Sequence, residues 1–484
     1  MTPRTRPARP VNGGTPSLDS GNADAHFLVR SSDSPLSTIR ELEKGRDMAD
    51  DPRQALRKEL HELPDGWGWF WQDEVFDFQG GSQPPASTFV SEPWPGYVRL
   101  VQIRDYYTSN HLTFVPDSSR LKKCENDDVM IARYGSSDNS LSDNSLGRIC
   151  RGIAGAYNVA LAKATPRRLV TKEFLYYLLK SDYFQQPLIA QGSRSVQAGF
   201  NRSSLATISL PVSPVPEQRA IAHILGTLDD KIELNRRMNE TLEAIARALF
   251  KSWFIDFDPV RAKAEGRDSG LPADIAALFP DSFEDSDLGE IPKGWKVDTV
   301  GEHMNNFDSK RIPVSGDERA KRQGPYPYHG AAGVMDYVDD YLFNGIYLLV
   351  GEDGSVMQDN GVAVTQYVWG KMWVNNHAHV IQGNGMVSTE QLYLYFHVQP
   401  VRPYVTGAVQ PKLSQGRMNM MPFLFAGDRI CRAFSEEIQA WFAKYRSNAN
   451  ESETLVALRD ALLPKLLSGE ISVKDVDQLM EVHV

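Results

Sequence analysis

Two long segments of the sequence share one spacing of apolar residues, and this repeat limits what the chain can fold into. Residues 242–249 (LEAIARAL) correspond to residues 455–462 (LVALRDAL), an offset of 213. The pattern steps by three and four residues, which is typical of a coiled-coil seam. We therefore predict two copies of one unit, each a globular part followed by a long helix. The pattern positions are Ile221, Leu225, Leu228, Ile232, Asn235, Asn239, Leu242, Ile245, Leu249 and Trp253, then Phe434, Ile438, Trp441, Tyr445, Asn448, Ser452, Leu455, Leu458, Leu462 and Leu466.

The bounds of the two helices follow from the residues that flank the pattern. Pro214 precedes the first segment and Pro259 follows it, while Gly469 ends the second. Proline is tolerated at a helix start and disfavoured inside, and glycine commonly ends a helix. We predict helices within 214–256 and 428–469, each running about 38 residues, or roughly 57 Å. Because one narrow apolar stripe needs a partner, we predict that the helices pack against each other, antiparallel.

Both stripes are interrupted at the same step, by Asn235 and Asn448. A buried asparagine in such a seam lowers stability but fixes the register and orientation of the helices. Each asparagine lies near the middle of its helix, and antiparallel packing brings the midpoints together. We therefore predict that Asn235 and Asn448 face one another and set the coiled-coil register. The alternative is that this turn of each helix faces solvent.

A second repeat locates the globular parts. Leu63–Trp67 recurs as Ile291–Trp295, 228 residues later. Each part alternates β-rich runs with Gly, Ser and Pro turns and contains one short helical run, which is typical of a mixed α/β domain. The predicted strands are Tyr97–Ile103, Asp128–Ala132, Gly345–Gly351 and Gly361–Val364, and the predicted short helices are Glu173–Phe184 and Glu390–Phe396.

The predicted fold class is α+β, with two mixed α/β domains separated by two long helices that form an antiparallel coiled coil, in a pseudo-two-fold internal repeat. The predicted boundaries are a disordered N-terminal extension at 1–51, a first domain at 52–213, a long helix at 214–256, an acidic connector at 257–290, a second domain at 291–427, a second long helix at 428–469 and a C-terminal tail at 470–484. The connector is either a plain linker or a docking surface for a partner, with Leu278, Phe279 and Phe283 as its apolar contacts.

Composition excludes several classes of protein. No run approaches the roughly 20 consecutive apolar residues of a membrane helix, so we expect no membrane span. Cys124, Cys150 and Cys431 lie far apart and form neither a disulfide framework nor a CxxC metal site, which suits a reducing cytoplasm. The net charge of −10 argues against a basic coat for nucleic acid over the whole protein, but it leaves room for a local basic groove.

Several stretches together resemble the DNA-specificity (S) subunit of a Type I restriction-modification system, of the HsdS type. The resemblance covers about residues 60 to 471. One departure is Asp428-Arg429-Ile430, which replaces the Pro-Glu-Gln start of the first long helix. The stretches that carry the resemblance are Pro216–Ala222, Leu228–Ile232, Asn239–Ala246, Leu249–Phe254, Tyr326–Ala331, Gly351–Ser355 and Leu463–Ile471.

The resemblance implies that the two globular parts are target-recognition domains and that the chain is not an enzyme. Such a subunit binds double-stranded DNA at an asymmetric bipartite target with a fixed spacer. It recruits two modification (methyltransferase) subunits, which methylate adenine, and two restriction (translocase-nuclease) subunits, which hydrolyse ATP. The sequence agrees, because it contains neither GxxxxGK[ST] nor [DNS]PP[YFW], and Gln83-Pro84-Pro85-Ala86 fails the latter at both ends.

Candidate DNA-binding residues follow from the chemistry of base and phosphate contacts. Arginine and lysine suit guanine and phosphate, and asparagine and glutamine suit adenine. For each candidate the alternative is a solvated surface or a turn cap, and Gln197 and Gln410 could instead fix the entry to each long helix. The candidates are Arg99, Gln102, Arg104, Arg133, Tyr134, Arg194, Gln197 and Arg202 in the first domain, and Lys310, Arg311, Tyr328, His329, Asn375, Asn376, Gln410 and Lys412 in the second.

No cofactor and no metal are predicted. His377 and His379 would share one strand face, as zinc ligands can, but no cysteine or carboxylate set completes a site in the sequence, so we expect a strand surface there. Two other functions stay open: a fused methylase-specificity polypeptide that acts alone, and a coiled-coil scaffold that does not bind DNA.

Overall fold

The computed structural model describes residues 62–108, 111–134, 146–192, 199–407 and 409–475. The chain forms two compact units, one with the residues up to 222 and from 466 onward, the other with residues 223–465. The predicted extension at 1–51 lies outside the described residues. Within the described ranges, no helix is both long enough and apolar enough to cross a membrane.

The strands are numbered in chain order. Their bounds are β1 Gly68–Trp71, β2 Phe76–Gly80, β3 Tyr97–Val101, β4 Phe114–Pro116, β5 Lys123–Cys124, β6 Val129–Ala132, β7 Ile149–Cys150, β8 Gly155–Tyr157, β9 Leu161–Pro166, β10 Ser209–Val212, β11 Phe283–Ser286, β12 Gly289–Pro292, β13 Lys296–Thr299, β14 Met304–Asn306, β15 Gln323–His329, β16 Val334–Val338, β17 Phe343–Gly351, β18 Thr365–Val374, β19 Ala378–Gly383 and β20 Pro422–Phe425.

The α-helices are numbered in the same way. Their bounds are α1 Gln72–Val75, α2 Lys172–Lys180, α3 Asp182–Gly192, α4 Arg202–Leu205, α5 Val215–Phe254, α6 Asp258–Ala264, α7 Ala273–Ala276, α8 Gly316–Arg319, α9 Thr389–Val398, α10 Gln415–Asn419 and α11 Asp428–Ser468. Short 3₁₀ turns lie at Ala86–Thr88, Ile103–Tyr106, Val300–Glu302, Asp308–Lys310 and Arg402–Tyr404.

The first unit contains two four-stranded sheets. One has the strand order β2-β9-β6-β7 and is antiparallel, and the other has the order β4-β3-β8-β5, with β3 and β8 parallel. Strand β6 is buried along its whole length, as expected for a central strand covered on both faces. Helix α2 begins where the Thr171 hydroxyl accepts a hydrogen bond from the Phe174 N–H (3.3 Å), and its apolar face is buried.

The second unit is built on one six-stranded sheet, with the order β14-β19-β17-β18-β15-β16. Strands β15 and β18 are parallel, and the other neighbours are antiparallel. Helix α9 packs on this sheet and contributes Leu392, Leu394 and Phe396 to the main apolar core. The same core takes Phe250 from α5 and Phe434 from α11, so apolar burial attaches the domain to both long helices.

The same strand pairing precedes each long helix. In the first unit β1, directly after Trp67, pairs with β10, which leads into α5. In the second unit β13, directly after Trp295, pairs with β20, which leads into α11. The repeat seen in the sequence therefore recurs as a repeat of local topology.

The long helices span 40 residues (α5) and 41 residues (α11), and both lie within the predicted ranges 214–256 and 428–469. Within the second unit they lie against each other with opposite chain directions. The Arg459 guanidinium, in the second half of α11, donates to Asp229 in the first half of α5 (2.8 Å). Phe254, the last residue of α5, packs edge-on against Phe434 near the start of α11 (4.9 Å between centroids). Gly469 has a φ of 75° and ends α11, as its sequence position indicated.

The two stripe asparagines are buried, with 1% exposure at Asn235 and none at Asn448, so the solvent-facing alternative is wrong. Their hydrogen bonds differ from the predicted pairing. Asn448 Nδ2 donates to Asn239 Oδ1 (2.9 Å), and Asn235 Nδ2 donates to the Glu451 carboxylate (2.9 Å). The helices are offset by about one turn from a midpoint-on-midpoint alignment, which brings the next stripe residue, Asn239, opposite Asn448.

The connector is folded, so its interpretation as a plain linker is wrong. It contains α6, α7 and the β11–β12 hairpin. Phe279 is buried and packs edge-on against Trp253 (5.0 Å), while Leu278 and Phe283 pack at the margin of the same core. These three apolar residues face inward, which removes them as the contacts of an exposed docking surface.

Other predicted elements differ in extent. The short helix predicted at 173–184 is two helices, α2 and α3, separated at Ser181, whose hydroxyl donates to the Leu178 carbonyl (2.7 Å). The predicted strand at 361–364 forms isolated bridges only, at Val362 and Ala363. The core of the second unit takes in the aromatic residues of both long helices, and the domain boundaries given above stay predictions.

Candidate nucleic-acid interface

Three candidate residues of the first unit converge on two residues that the sequence analysis missed. Arg99 lies in the middle of β3, Gln102 caps the 3₁₀ turn Ile103–Tyr106, and Arg104 belongs to that turn. Gln102 Nε2 and Arg104 Nη2 both donate to the Thr113 hydroxyl, at 3.0 and 3.1 Å. Two candidate side chains are thereby held by one acceptor.

The second shared partner is the Asp105 carboxylate, whose side chain is only 1% exposed. Its Oδ2 accepts the Gln102 backbone N–H (3.2 Å) and lies 3.5 Å from Arg99 Nη2, and its Oδ1 lies 3.9 Å from Arg104 Nε. The two arginines stay accessible, with side-chain exposures of 26% and 50%. Arg104 and Thr113 also line an open surface concavity of about 420 Å³.

A further group of candidates in the first unit gathers around Phe78. The Arg133 guanidinium lies over the rings of Phe78 (5.7 Å) and Tyr134 (5.2 Å), and Arg202 Nη2 donates to the Phe78 carbonyl (3.0 Å). Tyr134 and Arg202 are exposed, whereas Arg133 is half-buried and also donates to the Val159 carbonyl (3.3 Å). Arg194 and Gln197 lie outside the described residues.

Sequence reasoning missed one exposed cation on an aromatic ring. The Arg148 guanidinium lies 4.3 Å from the centre of the Tyr107 ring, and both side chains are exposed. Stacked arginine is a common nucleic-acid contact. No sequence signal links two residues 41 positions apart, since the contact arises only when the two turns fold together.

In the second unit, loops from four parts of the chain meet at the candidate residues. The Glu352 N–H donates to the His377 carbonyl (2.8 Å), and the Leu413 N–H donates to the Glu352 carbonyl (2.8 Å). Lys412 Nζ lies 3.2 Å from one Glu352 oxygen, and Arg311 Nη1 donates to the other (2.8 Å). The Glu352 carboxylate therefore pairs with two of the predicted cations.

His379 lies beneath these loops and is fully buried, so its interpretation as a strand-surface residue is wrong. Its Nδ1 lies 2.6 Å from an Asp308 oxygen, and its Nε2 lies 2.8 Å from the Leu413 carbonyl. Burial acts to raise the pKa of Asp308, but the hydrogen bonds from His379 and the Val380 N–H outweigh it and hold that pKa below its ordinary value.

The structure also brings two carboxylates to this histidine, contrary to the sequence analysis. Ligand atoms of Asp308, Glu352 and His379 lie within 4.8 Å of one another, and nitrogen with carboxylate oxygen is a donor set that a metal ion can use. However, Arg311 and Lys412 already pair with these carboxylates. The group is a charge-balanced ion-pair network that holds the loops together.

Three candidates of the second unit are buried, so their predicted contact with DNA is wrong. Tyr328 is 1% exposed, and its hydroxyl accepts from the Val314 N–H (3.0 Å). The Asn375 Oδ1 accepts the His377 N–H (2.8 Å), which shapes the loop before β19. His329 Nδ1 lies 2.9 Å from Gln366 Oε1, and burial lowers its pKa despite that hydrogen bond. A buried polar edge cannot read a base.

Four candidates of the second unit remain exposed: Lys310, Asn376, Gln410 and Lys412. Lys310 Nζ lies over the Phe307 ring (5.1 Å), while Arg311 is mostly buried in the ion-pair network. The exposed set lies on the loops that Glu352 and His379 tie together. The three cysteines are buried, and burial raises the pKa of Cys124 to about 11, of Cys150 to about 12 and of Cys431 to about 11, so these thiols stay neutral.

Comparison with known proteins agrees with this architecture. Residues 64–244 match the family model for the Type I restriction modification DNA specificity domain. The chain is 24% identical over 448 residues to the Type I restriction enzyme MjaIX specificity subunit of Methanocaldococcus jannaschii, covering 86% of this chain and 96% of that protein. It is 27% identical over 362 residues to the Type I restriction enzyme HindI specificity subunit of Haemophilus influenzae, covering 63% and 78%.

A solved structure shows the same fold. The S subunit of a Type-I restriction-modification system from M. genitalium aligns with a TM-score of 0.50 over 84% of this chain and 98% of that one. The sequence identity is 16%, so this likeness concerns the fold alone. It agrees with an architecture of two mixed α/β domains.

Proposed function

Because the chain is an HsdS-type DNA-specificity subunit of a type I restriction-modification system, we propose that it reads a bipartite DNA target with a fixed spacer. Each mixed α/β domain reads one half-site, and the long helices set the distance between them. The exposed candidates differ between the domains: they are arginine and tyrosine in the first, and lysine, asparagine and glutamine in the second. The two half-sites should therefore differ, which makes the target asymmetric.

The observation that carries the proposal is the buried polar contact between the long helices. A hydrogen bond of 2.9 Å joins Asn448 to Asn239, in a seam that is otherwise largely apolar. Moving the helices by one turn would break this hydrogen bond, and a buried amide group left without a partner costs about 1–3 kcal/mol. A register fixed in this way supports an antiparallel coiled coil, a pseudo-two-fold arrangement and a constant spacer.

The length of the helices is compatible with the spacing of DNA grooves. Helices of 40 and 41 residues extend about 60 Å. Two recognition elements that bind one face of a duplex one turn apart need about 34–36 Å between centres. A helix pair of this length could hold two domains with centres about 34–36 Å apart if both domains tilted toward the DNA.

The subunit is non-catalytic, and the chemistry belongs to its partners. We expect two modification subunits, which methylate adenine in each half-site, and two restriction subunits, which cleave DNA at the expense of ATP. The complex would act on cellular DNA, and we therefore place it in the cytoplasm.

The test is selection of randomised duplexes by the full chain assembled with its cognate methyltransferase subunit. We expect a gapped motif of two dissimilar half-sites, with methyladenine in each. Inserting one heptad into each long helix should lengthen the spacer and leave both half-sites unchanged, because a heptad adds about 10 Å of helix.

Two results would contradict the proposal in different ways. An ungapped motif would mean that the domains do not read separate half-sites. A spacer that ignores the inserted heptads would mean that the helices do not set the distance.

The same experiment separates the two alternative functions. Methylation by the chain alone would favour a fused methylase-specificity protein. Absence of any DNA band shift, with or without the methyltransferase subunit, would favour a scaffold that does not bind DNA.

A further inference from the structure

We propose that Asp105 is a positioning residue for DNA reading by the first unit, and that it acts through Arg99 and Arg104. The proposal rests on the proposed DNA-reading function and deepens it, because it names a residue that determines specificity without touching DNA. Asp105 itself is too buried to contact a duplex, since its side chain is 1% exposed.

The geometry places one carboxylate between two guanidinium groups. Asp105 Oδ2 lies 3.5 Å from Arg99 Nη2, and Oδ1 lies 3.9 Å from Arg104 Nε. Thr113 adds a second anchor, because its hydroxyl accepts from Arg104 Nη2 at 3.1 Å. Arg104 is therefore held by one hydrogen bond, to Thr113, and by the charge of Asp105, although half of its side chain is exposed.

The charge of the group formed by Arg99, Arg104 and Asp105 favours DNA as its binding partner. A buried carboxylate is stable only when cations or hydrogen bonds compensate it. The single negative charge of Asp105 is shared by Arg99 and Arg104. The three side chains together therefore carry a net positive charge, which lies on the exposed arginines. An arginine offers five N–H donors, and the contacts with Asp105 and Thr113 use few of them. The remaining donors suit a guanine edge or a phosphate.

Asp105 also has an ordinary structural role, and the test must separate the two. Its Oδ2 accepts the Gln102 N–H (3.2 Å) and so caps the 3₁₀ turn that carries Arg104. An Asp105→Asn substitution keeps an oxygen acceptor for that cap and removes the negative charge. A purely structural role would survive this change, whereas the positioning of two arginines would not.

Asp128 in the same unit provides a matched control. Its carboxylate also accepts a backbone N–H, from Glu125 (2.9 Å), and also pairs with two cations, Lys163 (3.2 Å) and Lys172 (3.1 Å). Its side chain is 13% exposed. Neither lysine belongs to the candidate interface, so Asp128→Asn should change stability without changing which bases are read.

The experiment selects randomised duplexes with full-length wild type, Asp105→Asn and Asp128→Asn, each assembled with the cognate methyltransferase subunit. For Asp105→Asn we expect discrimination to fall by about tenfold or more at one or more positions of one half-site, because a well-placed arginine–guanine contact carries discrimination of that order. The other half-site should stay unchanged. Asp128→Asn should keep both half-sites.

Three results would overturn the proposal. Asp105→Asn could keep both half-sites at wild-type discrimination, which would make the residue a cap only. It could weaken both half-sites equally, with a lower thermal midpoint, which would indicate general unfolding. Asp128→Asn could relax the same half-site, which would show that any lost ion pair in this unit has that effect. A wild-type complex that selects no gapped motif would refute the proposed function itself, and is distinguishable from all three.

Discussion

The hydrogen bond between Asn448 and Asn239 allows a quantitative test of the helix seam. Asn448→Ala removes the bond of 2.9 Å from Asn448 Nδ2 to Asn239 Oδ1. Asn239→Ala removes that bond and a second one, of 3.1 Å, from Asn239 Nδ2 to the Tyr445 carbonyl. Both lie inside the second unit, so the effect should appear in the unfolding of that unit.

The expected magnitudes follow from the number of bonds lost. A typical intramolecular hydrogen bond contributes about 1 kcal/mol to the free energy of unfolding. We expect about 1 kcal/mol of destabilisation for Asn448→Ala and about 2 kcal/mol for Asn239→Ala. The double variant should lose less than their sum by about 1 kcal/mol, because both single variants remove the same shared bond.

The assay is amide hydrogen exchange of the full chain, resolved to peptides from α5 and α11. Exchange of protected helix amides gives a local free energy of opening for each variant. The matched control is Arg236→Ala, which removes exposed ion pairs with Glu233 and Glu240 on the outer face of α5. It should cost well under 1 kcal/mol and couple to neither asparagine.

A coupling energy near zero would refute the reasoning, since it would mean that the two amides contribute independently. A gain in stability on replacing Asn448 alone by alanine would also refute it. Replacing both asparagines by leucine should stabilise the seam and loosen its register, which would appear in DNA selection as a broader range of spacer lengths.

Three further predictions follow from buried polar groups. Gln218→Ala should destabilise the first unit by about 2–4 kcal/mol, because the buried side-chain amide accepts from the Thr171 N–H and donates to two backbone carbonyls, at 2.7–2.9 Å. Thermal unfolding measures this destabilisation, and a loss under about 1 kcal/mol would contradict the prediction. Arg311→Lys should destabilise the second unit by about 1–2 kcal/mol in urea unfolding, since lysine cannot bridge Asp308 and Glu352, and an unchanged midpoint would contradict this. The free energy of unfolding should fall as the pH drops below about 6.5, because burial lowers the pKa of His329 and the folded state therefore binds fewer protons than the unfolded one. His329→Gln should make the free energy of unfolding less dependent on pH in this range. An unchanged pH dependence would argue against the buried neutral ring.

The sequence predicted the long helices well, because their signal is local and repeated. Apolar residues that recur every three or four positions over ten steps leave few alternatives to an amphipathic helix. The flanking Pro214 and Gly469 then placed the ends within a few residues of those observed. The prediction of where Asn448 finds its partner was wrong, because register depends on how whole side chains interlock along the seam and not on where each midpoint falls.

The candidate interface was predicted by residue type, and this succeeded only for exposed turns. Arg104 and Lys412 lie on exposed loops. Tyr328 and Asn375 also carry groups that can hydrogen-bond to DNA, but both are buried in the fold. Residue type does not indicate burial when a strand end and a turn have similar composition. Asp105 was missed for a related reason, since an acid is not a DNA ligand and its importance appears only when two arginines fold around it.

The number of copies, the kind of module and the presence of two long helices can be read from the amino-acid sequence, since they depend on periods and repeats along the chain. Which polar groups meet depends on folding: Asn448 meets Asn239, His379 meets Asp308, and Asp105 meets two arginines. The first two contacts join residues 209 and 71 positions apart in the chain, and the third depends on how a strand and a turn fold around one carboxylate. Their energies depend on distances of a few tenths of an ångström and on the exclusion of water, which exist only after the core has closed.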